Sequence, residues 1–316
     1  MVIEGAQKRG WEVELYTPES AHLRLRRPDG HTLEVYSSIP PSTALVSARL
    51  SNDKYLTYIA LQEAHLPVLS TLHAATLDEA KRAAAEILAH TKAFVVKPLD
   101  ASHGNGVTVN MQAIDQLDAA FNHALQFSST VIIQAYQPVV ADIRMLCINY
   151  KFVAALERIP ARVCGDGKHT IKQLIEIQNQ SPLRGEVYTS DLGIIPLDRA
   201  CMFLGDRTQD IPDNGEWVAV LGTANVGTGG ETRDITDDLP DWFKQQAEKA
   251  AKVINLPMCG VDFLAQKTPQ QHDTPESLGA TITELNKGPS LFIHERPNHG
   301  KPRPVVDIYL DYLATL

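Results

Sequence analysis

VVKPLDASHGNGV, residues 95–107, decides how the rest of the chain is read. Two β-branched residues lead into Lys97, a polar loop with Gly104 and Gly106 follows, and a second strand-like run, VTV, leaves it. Glycines beside a lysine point to phosphate, yet here the lysine comes first. A Walker loop, G-x-x-x-x-G-K-[ST], puts its lysine after the glycines at a helix start. A dinucleotide fingerprint opens a helix, whereas VTVNM continues as a strand. What remains is a strand–loop–strand that can fold over a triphosphate, with backbone N–H groups on phosphate oxygens and Lys97 neutralising them. An ordinary hairpin loop satisfies the same pattern.

A second constellation weighs against the ordinary loop. GVDFL (260–264) and ITELNKGPS (282–290) place Asp262 on one strand and Glu284 and Asn286 on another. Residues i and i+2 of a strand share a face, so Glu284 and Asn286 are neighbours. If Asp262 lies on the adjacent strand, three oxygen donors converge among Val, Ile and Leu. Such a set suits Mg²⁺, which completes its shell with water and nucleotide phosphate. A solvated strand face is the plainer alternative. NVGTGGETRD (225–234) is a further glycine-rich loop, carrying Arg233, and reads either as an anion cradle or as a surface connection. Arg144 and Arg158 lie on the two arms of RMLCINYKFVAALERIPA, a hairpin turning at Asn149-Tyr150-Lys151. Their forked guanidinium groups match carboxylate or phosphate.

The remaining chain predicts an α+β protein. A short helix over IEGAQKRG is followed by a strand at WEVELYT and by HLRLRR and TLEVYS as a hairpin around Pro28-Asp29-Gly30. SNDKYLTYIALQEAHLPVL reads as a helix capped near Ser51, and LDEAKRAAAEILAHTK, AIDQLDAAFNHALQF, the end of GDGKHTIKQLIEIQNQ and LPDWFKQQAEKAAKVINL as further helices. Residues 181–230 read as turn-rich and polar. The 316 residues carry a net charge of −9, which argues against a duplex nucleic-acid partner but leaves room for a local cationic nucleotide site. Four scattered cysteines, with no C-x-x-C, suggest buried thiols rather than disulfides or zinc. No run approaches the ~20 apolar residues of a membrane span, and no signal peptide is evident, so a cytoplasmic protein is expected.

Taken in order, these segments resemble an ATP-grasp ligase, in particular the ATP-grasp module of cyanophycin synthetase and of bifunctional glutathione synthetases. VVKPLDASHGNGV resembles the lid-and-lysine segment, ERIPARVCGDGKHTIKQLIE the Pro-Ala…Gly-Asp-Gly-Lys-x-Thr-Ile run, and NVGTGGETRDITD the threonine–glycine–glycine loop. ITELNKGPS resembles the metal strand and GKPRPVVDIYLDYL the closing helix. The resemblance implies a glutathione synthetase-like ATP-grasp fold: a short N-terminal subdomain (1–50), a central subdomain with the lid (51–135) and a C-terminal subdomain with the metal site (136–316). It implies ATP with Mg²⁺, or Mn²⁺ in its place, as cofactors. Lys54 and Lys97 would contact phosphates, with His103, Gly104 and Gly106 in the lid. Gln134, Ala135 and Tyr136 would hold adenine through their backbone, and Asp142 would reach the ribose. Asp262, Glu284 and Asn286 would hold metal, while Arg158 with Arg144, and Arg233 of the glycine loop, would stabilise the transferred phosphoryl group. The implied reaction joins a carboxylate to an amine through an acyl phosphate, releasing ADP and phosphate. Amino acid or peptide substrates and a dimer or tetramer are expected, with no nucleic-acid or membrane partner. A non-catalytic nucleotide-binding subunit of a larger synthetase is the alternative.

The chain also departs from the family pattern. It ends where the ATP-grasp module ends, so cyanophycin polymerisation and complete glutathione synthesis are not expected. The acidic pair often found at the hinge is Gln134-Ala135. Asn-x-x-Pro-Gly-x-Arg reads N-K-G-P-S-L-F, with Lys287, Ser290 and Phe292 divergent. Altered substrate recognition is expected from these changes.

Overall fold

The computed structural model describes residues 1–17, 20–100, 105–138, 141–186 and 190–316. Helix α1 (Val2–Lys8) leads into an antiparallel sheet of β1 (Glu12–Leu15), β2 (His22–Arg26) and β3 (Thr32–Tyr36). The period-2 pattern directs Leu23, Leu25, Leu33 and Val35 inward and leaves Arg24 and Glu34 in a surface ion pair. The turn between β2 and β3 needs Gly30 at φ +87°.

Two helices then stand where the sequence predicts one. Ser51 does not cap; it lies near the end of α2 (Leu45–Asn52), where its hydroxyl donates to the Ala48 carbonyl. Asp53 ends α2 and caps α3 (Lys54–Glu63), accepting from the N–H groups of Tyr55 and Leu56 at 3.0 and 2.9 Å. An aspartate with an extended backbone is the better acceptor for a helix start.

The central sheet has the order β4-β7-β5-β6, all antiparallel. It combines β4 (Thr71–Ala74), β5 (Phe94–Pro98), β6 (Thr108–Met111) and β7 (Val131–Ala135) with helices α4 (Leu77–Leu88) and α5 (Leu117–Leu125). Thr76 and Glu79 form a reciprocal capping box that starts α4. The apolar faces of both helices meet Phe94, Val96, Val131 and Ile133.

A second antiparallel sheet follows. Strands β8 (Ala141–Ile148) and β9 (Lys151–Ile159) form a hairpin whose turn holds Asn149 and Tyr150 at φ +52° and +60°. Two left-handed residues match the strand twist. Beyond β9 an insertion folds around its own core. It comprises β10 (Arg162–Cys164), α6 (Ile171–Asn179), the two-residue strands β11 (Arg184–Gly185) and β12 (Leu192–Gly193), α7 (Leu197–Leu204) and β13 (Trp217–Ala219). Val163, Ile171, Ile175, Ile195, Ala200 and Val218 fill that core. Helix α7 corrects the turn-rich expectation for 181–230. Met202 and Phe203 face solvent on it, so the helical period is blurred in the sequence.

Strand β14 (Glu231–Asp234), helix α8 (Asp241–Ile254), β15 (Met258–Ala265), the short α9 (Pro275–Leu278) and β16 (Thr281–Asn286) complete the sheet, ordered β14-β9-β8-β15-β16. Helix α8 covers one face, packing Phe243, Ala247 and Ala251 on Ile143, Met145 and Phe263. Helices α10 (Phe292–Glu295) and α11 (Val305–Ala314) return to the other face. There Tyr309 and Leu310 join Leu146, Ala154 and Met258 to the N-terminal sheet. The open half of that second face carries the polar residues of interest. Of the four thiols, Cys147 and Cys259 are buried on paired strands, whereas Cys164 and Cys201 are half-exposed. Among the described residues no helix is long and apolar enough to cross a membrane.

Candidate nucleotide and metal site

Strand register assembles the site. Asp142 stands opposite Arg158, Arg144 opposite Asp262, and Asp262 opposite Glu284, with Asn286 opposite Gly260. All of these side chains lie on the sheet face away from α8, because strand residues alternate between faces. Arg158 donates to Asp142 Oδ1 at 2.5 Å and to Asp262 Oδ2 at 3.1 Å. Arg144 Nη2 donates to Asp262 Oδ2 at 2.7 Å, and Arg144 Nε bonds the other carboxylate oxygen. Asn286 Nδ2 donates to both Asp262 (3.3 Å) and Glu284 (3.2 Å).

Each guanidinium faces a carboxylate. Asp262 is only 2% exposed. Burial alone would raise its carboxyl, but Arg144 and Arg158 outweigh that and hold it below the usual carboxylate range. Asp142 goes the other way, since burial raises it despite the neighbouring Arg158. Burial would likewise lower the Arg158 guanidinium, but Asp262 and Asp142 keep it more firmly protonated than usual.

Two lysines, one on α3 and one on the central sheet, feel the Glu284 carboxylate. Lys54, in the first turn of α3, donates to the Leu99 carbonyl at 3.2 Å, and Lys97 of β5 donates to Gln134 Oε1 at 2.9 Å. They line a cavity of about 10 Å³ with Thr57, Thr71, Gln134, and Ile282 and Thr283 of β16. Burial, aided by Lys54, lowers the Lys97 ammonium to about 8, and the Glu284 carboxylate opposes that shift. Lys54 is also lowered by burial, against the pull of Glu284 and Asp100. Both cations therefore feel the carboxylate on the opposite sheet. An anion brought between them would restore their charge.

At the hinge the Ala135 and Tyr136 N–H groups donate to the Ser70 and Ala93 carbonyls, both at 2.9 Å. Gln134 acts through its side chain, accepting from Lys97 and donating to Thr71 Oγ1 at 2.8 Å. Sequence reasoning missed Gln137. Its amide donates to the Gly279 carbonyl at 2.6 Å and accepts from Thr281 Oγ1 at 2.8 Å, tying the end of β7 to the approach of β16. The signal was a polar residue just past the buried strand VIIQA.

Arg233 does not join the site. It pairs with Glu157, and the next residue on each strand differs in face, so Thr232 rather than Arg233 stands beside Arg158. Arg233 bonds the buried Glu157 carboxylate on the α8 side, with Thr268 alongside. Its glycine loop is explained by packing. A Cβ on Gly230 would meet the Asn225 and Ile159 carbonyls at 2.8 and 2.9 Å, and one on Gly229 would meet Ile195 at 2.6 Å. Gly106 combines φ +71° with Pro98 and Phe127 at 2.7 Å from any added Cβ, so the turn itself demands glycine. His103 and Gly104 lie outside the described residues.

The donor set fits a hard divalent cation in its chemistry. Two carboxylates and one amide oxygen on adjacent strands leave further ligands to phosphate and water, as Mg²⁺ prefers. Among the described residues no three His, Cys, Asp or Glu side chains cluster, so Asn286 is needed to complete the set. Its amide has to turn over to offer oxygen.

Residues 63–173 match the family model described as the prokaryotic glutathione synthetase ATP-grasp domain. Over 99% of its length the chain superposes on a bifunctional glutathione synthetase from Pasteurella multocida, with a TM-score of 0.71 and 24% identity, covering 43% of that chain. The fold is ATP-grasp. Cyanophycin synthetase from Crocosphaera subtropica is 33% identical over 289 residues, 90% of this chain and 32% of that protein. The bifunctional glutathione biosynthesis protein of Listeria innocua is 30% identical over 319 residues, 99% of this chain and 40% of that protein. This ATP-grasp chain thus spans about a third to two-fifths of the curated relatives it matches.

Proposed function

We propose that this ATP-grasp chain is an ATP-dependent carboxylate–amine ligase acting on amino acids or peptides. The observation that carries the reading is the register pair Asp262–Glu284, with Asn286 beside it and with the Glu284 carboxylate acting on both Lys54 and Lys97. Phosphoryl transfer depends chiefly on positioning and on offsetting negative charge, and this site has a cationic wall opposite a carboxylate wall. Lys54 and Lys97 bind the triphosphate, and Gln134 orients Lys97. Asp262, Glu284 and Asn286 would hold Mg²⁺, or Mn²⁺, which would supply charge neutralisation for the transferred phosphoryl group. Arg158 and Arg144, oriented by Asp142 and Asp262, stabilise the phosphoryl group as the substrate carboxylate attacks it. An amine then displaces phosphate from the acyl phosphate, giving an amide. Water has to be kept from the acyl phosphate, which it would otherwise hydrolyse. A cytoplasmic location and a homo-oligomer belong to the same reading.

The test follows phosphate release from ATP with mixed carboxylates and amines. Release that requires an amine supports a ligase, and nucleotide binding without turnover supports a non-catalytic subunit. Glu284→Gln is expected to lower turnover by more than about a hundredfold with an unchanged circular dichroism spectrum. Near-full activity in that variant removes the metal assignment.

A further inference from the structure

Arg233, which register keeps out of the nucleotide site, borders a second cavity of about 370 Å³. Ile235 and Asp238 line it from the chain that follows β14, and Pro269, Gln270 and Gln271 from the loop after β15. Arg233 is paired with Glu157, whereas Arg158 is paired with Thr232. Neighbours along a strand alternate between faces, so this cavity and the Arg158 cluster lie on opposite sides of the sheet.

The walls are fixed before any ligand arrives. Arg233 Nε donates to Glu157 Oε2 and Thr268 Oγ1 to Glu157 Oε1, both at 2.9 Å. Asp273 ties down the loop: its Oδ2 accepts from the Gln270 N–H at 2.8 Å, and its carbonyl accepts from Trp242 Nε1 at 2.7 Å. Gln271 Nε2 donates to the Asp237 carbonyl at 2.7 Å, which latches the loop to the opposite wall. Ile235 and Pro269 are buried and apolar.

Within this frame several polar groups are uncommitted. A guanidinium has five N–H donors. Nε and Nη2 of Arg233 serve Glu157 and Thr268, and among the described residues Nη1 has no partner. The Arg233 side chain is 45% exposed, so Nη1 is open to a ligand. The Asp238 carboxylate, the Gln270 side-chain amide and Gln271 Oε1 also have no partner among the described residues. One cavity thus offers a free cationic donor and a free carboxylate, with amide groups beside them. That pattern complements a molecule carrying both charges.

We propose that this cavity binds a small zwitterion of the amino-acid class. Its carboxylate accepts from Arg233 Nη1, and its ammonium donates to Asp238 and Gln271 Oε1. The proposal is independent of the ligase reading, whose groups lie on the other face of the sheet.

The experiment uses the full chain without nucleotide or metal. The Arg233 Nε–H, held on buried Glu157, is followed by ¹H–¹⁵N NMR and assigned by its loss in Arg233→Lys. L-Glutamine, and γ-aminobutyrate with its charges farther apart, are titrated beside their N-acetyl and carboxamide forms. A saturable shift is expected with at least one zwitterion. A hydrogen bond to a charged group corresponds to roughly tenfold in affinity. Removing the ammonium by acetylation, or the carboxylate by amidation, is therefore expected to weaken binding by about tenfold or more. Asp238→Asn is expected to weaken the zwitterion by about tenfold and to leave the N-acetyl form unaffected. Its melting temperature and ADP affinity are expected to match those of the wild type, since Asp238 is exposed. No saturable shift with either zwitterion overturns the proposal, as does equal affinity for the N-acetyl form. Zwitterion binding that survives Asp238→Asn unchanged belongs elsewhere on the chain and overturns it too. Amine-dependent phosphate release still decides the ligase reading, so each can fail without the other.

Discussion

Lys97 is lowered to about 8 by burial and by the neighbouring Lys54, against a usual ammonium value of 10.5. Only its charged form attracts phosphate. The free protein loses that charge as pH rises through about 8, whereas bound nucleotide holds the proton on. Nucleotide affinity is therefore expected to be flat below pH 7 and to fall by up to about tenfold per pH unit above 8. Calorimetric titrations with ADP between pH 7 and 9.5 measure the slope. Lys97→Met is expected to bind weakly at every pH, with that slope removed. Asp262 carries the opposite adjustment, held ionised by two arginines although burial opposes it.

At the scale of elements, two short stretches decide where functional side chains point. Asp53 caps α3, and the next residue is Lys54. Asp53→Ala is expected to cost about 1 kcal/mol in urea unfolding and to weaken nucleotide binding as the first helical turn frays. Strand β14 shows the force of parity, since Arg233 faces α8 and Thr232 faces Arg158. Arg233→Ala is expected to destabilise the fold by about 1–3 kcal/mol, because the Glu157 carboxylate, 6% exposed, loses a charged donor. Nucleotide affinity is expected to remain within about twofold. A large loss of binding with no loss of stability would return Arg233 to the site. The motif spacing that suggested Arg233 was real, but a loop-to-strand transition can start on either face. Nothing local to ETRD says which.

Over the whole molecule, Lys97 belongs to the four-stranded sheet, Lys54 to helix α3 packed beside β16, and the carboxylates to the five-stranded sheet. The cavity between them, about 10 Å³, has room for one water. Gln137 bridges the two sheets at the end of β7. A ligand held by both sheets and absent from the unfolded chain stabilises by about 2.7 kcal/mol at a hundredfold excess over its Kd. For a chain of this size, that is a rise of about 5 °C in melting temperature. The rise is expected with ADP and Mg²⁺ together and much less with either alone. Equal shifts with and without the metal would separate the nucleotide from Asp262 and Glu284.

Local sequence was sufficient for much of this. The lysine-before-glycine order excluded two common phosphate loops, period-2 alternation paired Glu284 with Asn286, and Asn149-Tyr150 marked the β8–β9 turn. These features depend on steric preferences that act within a few residues. Tertiary structure alone decided that Asp262 shares its oxygens with Arg144 and Arg158 and that Gln134 serves Lys97 by its side chain. It also decided that Arg233 stands opposite Glu157 rather than Arg158. Each of these outcomes depends on register between strands distant in the chain, and a one-residue change in register exchanges the two faces of a sheet.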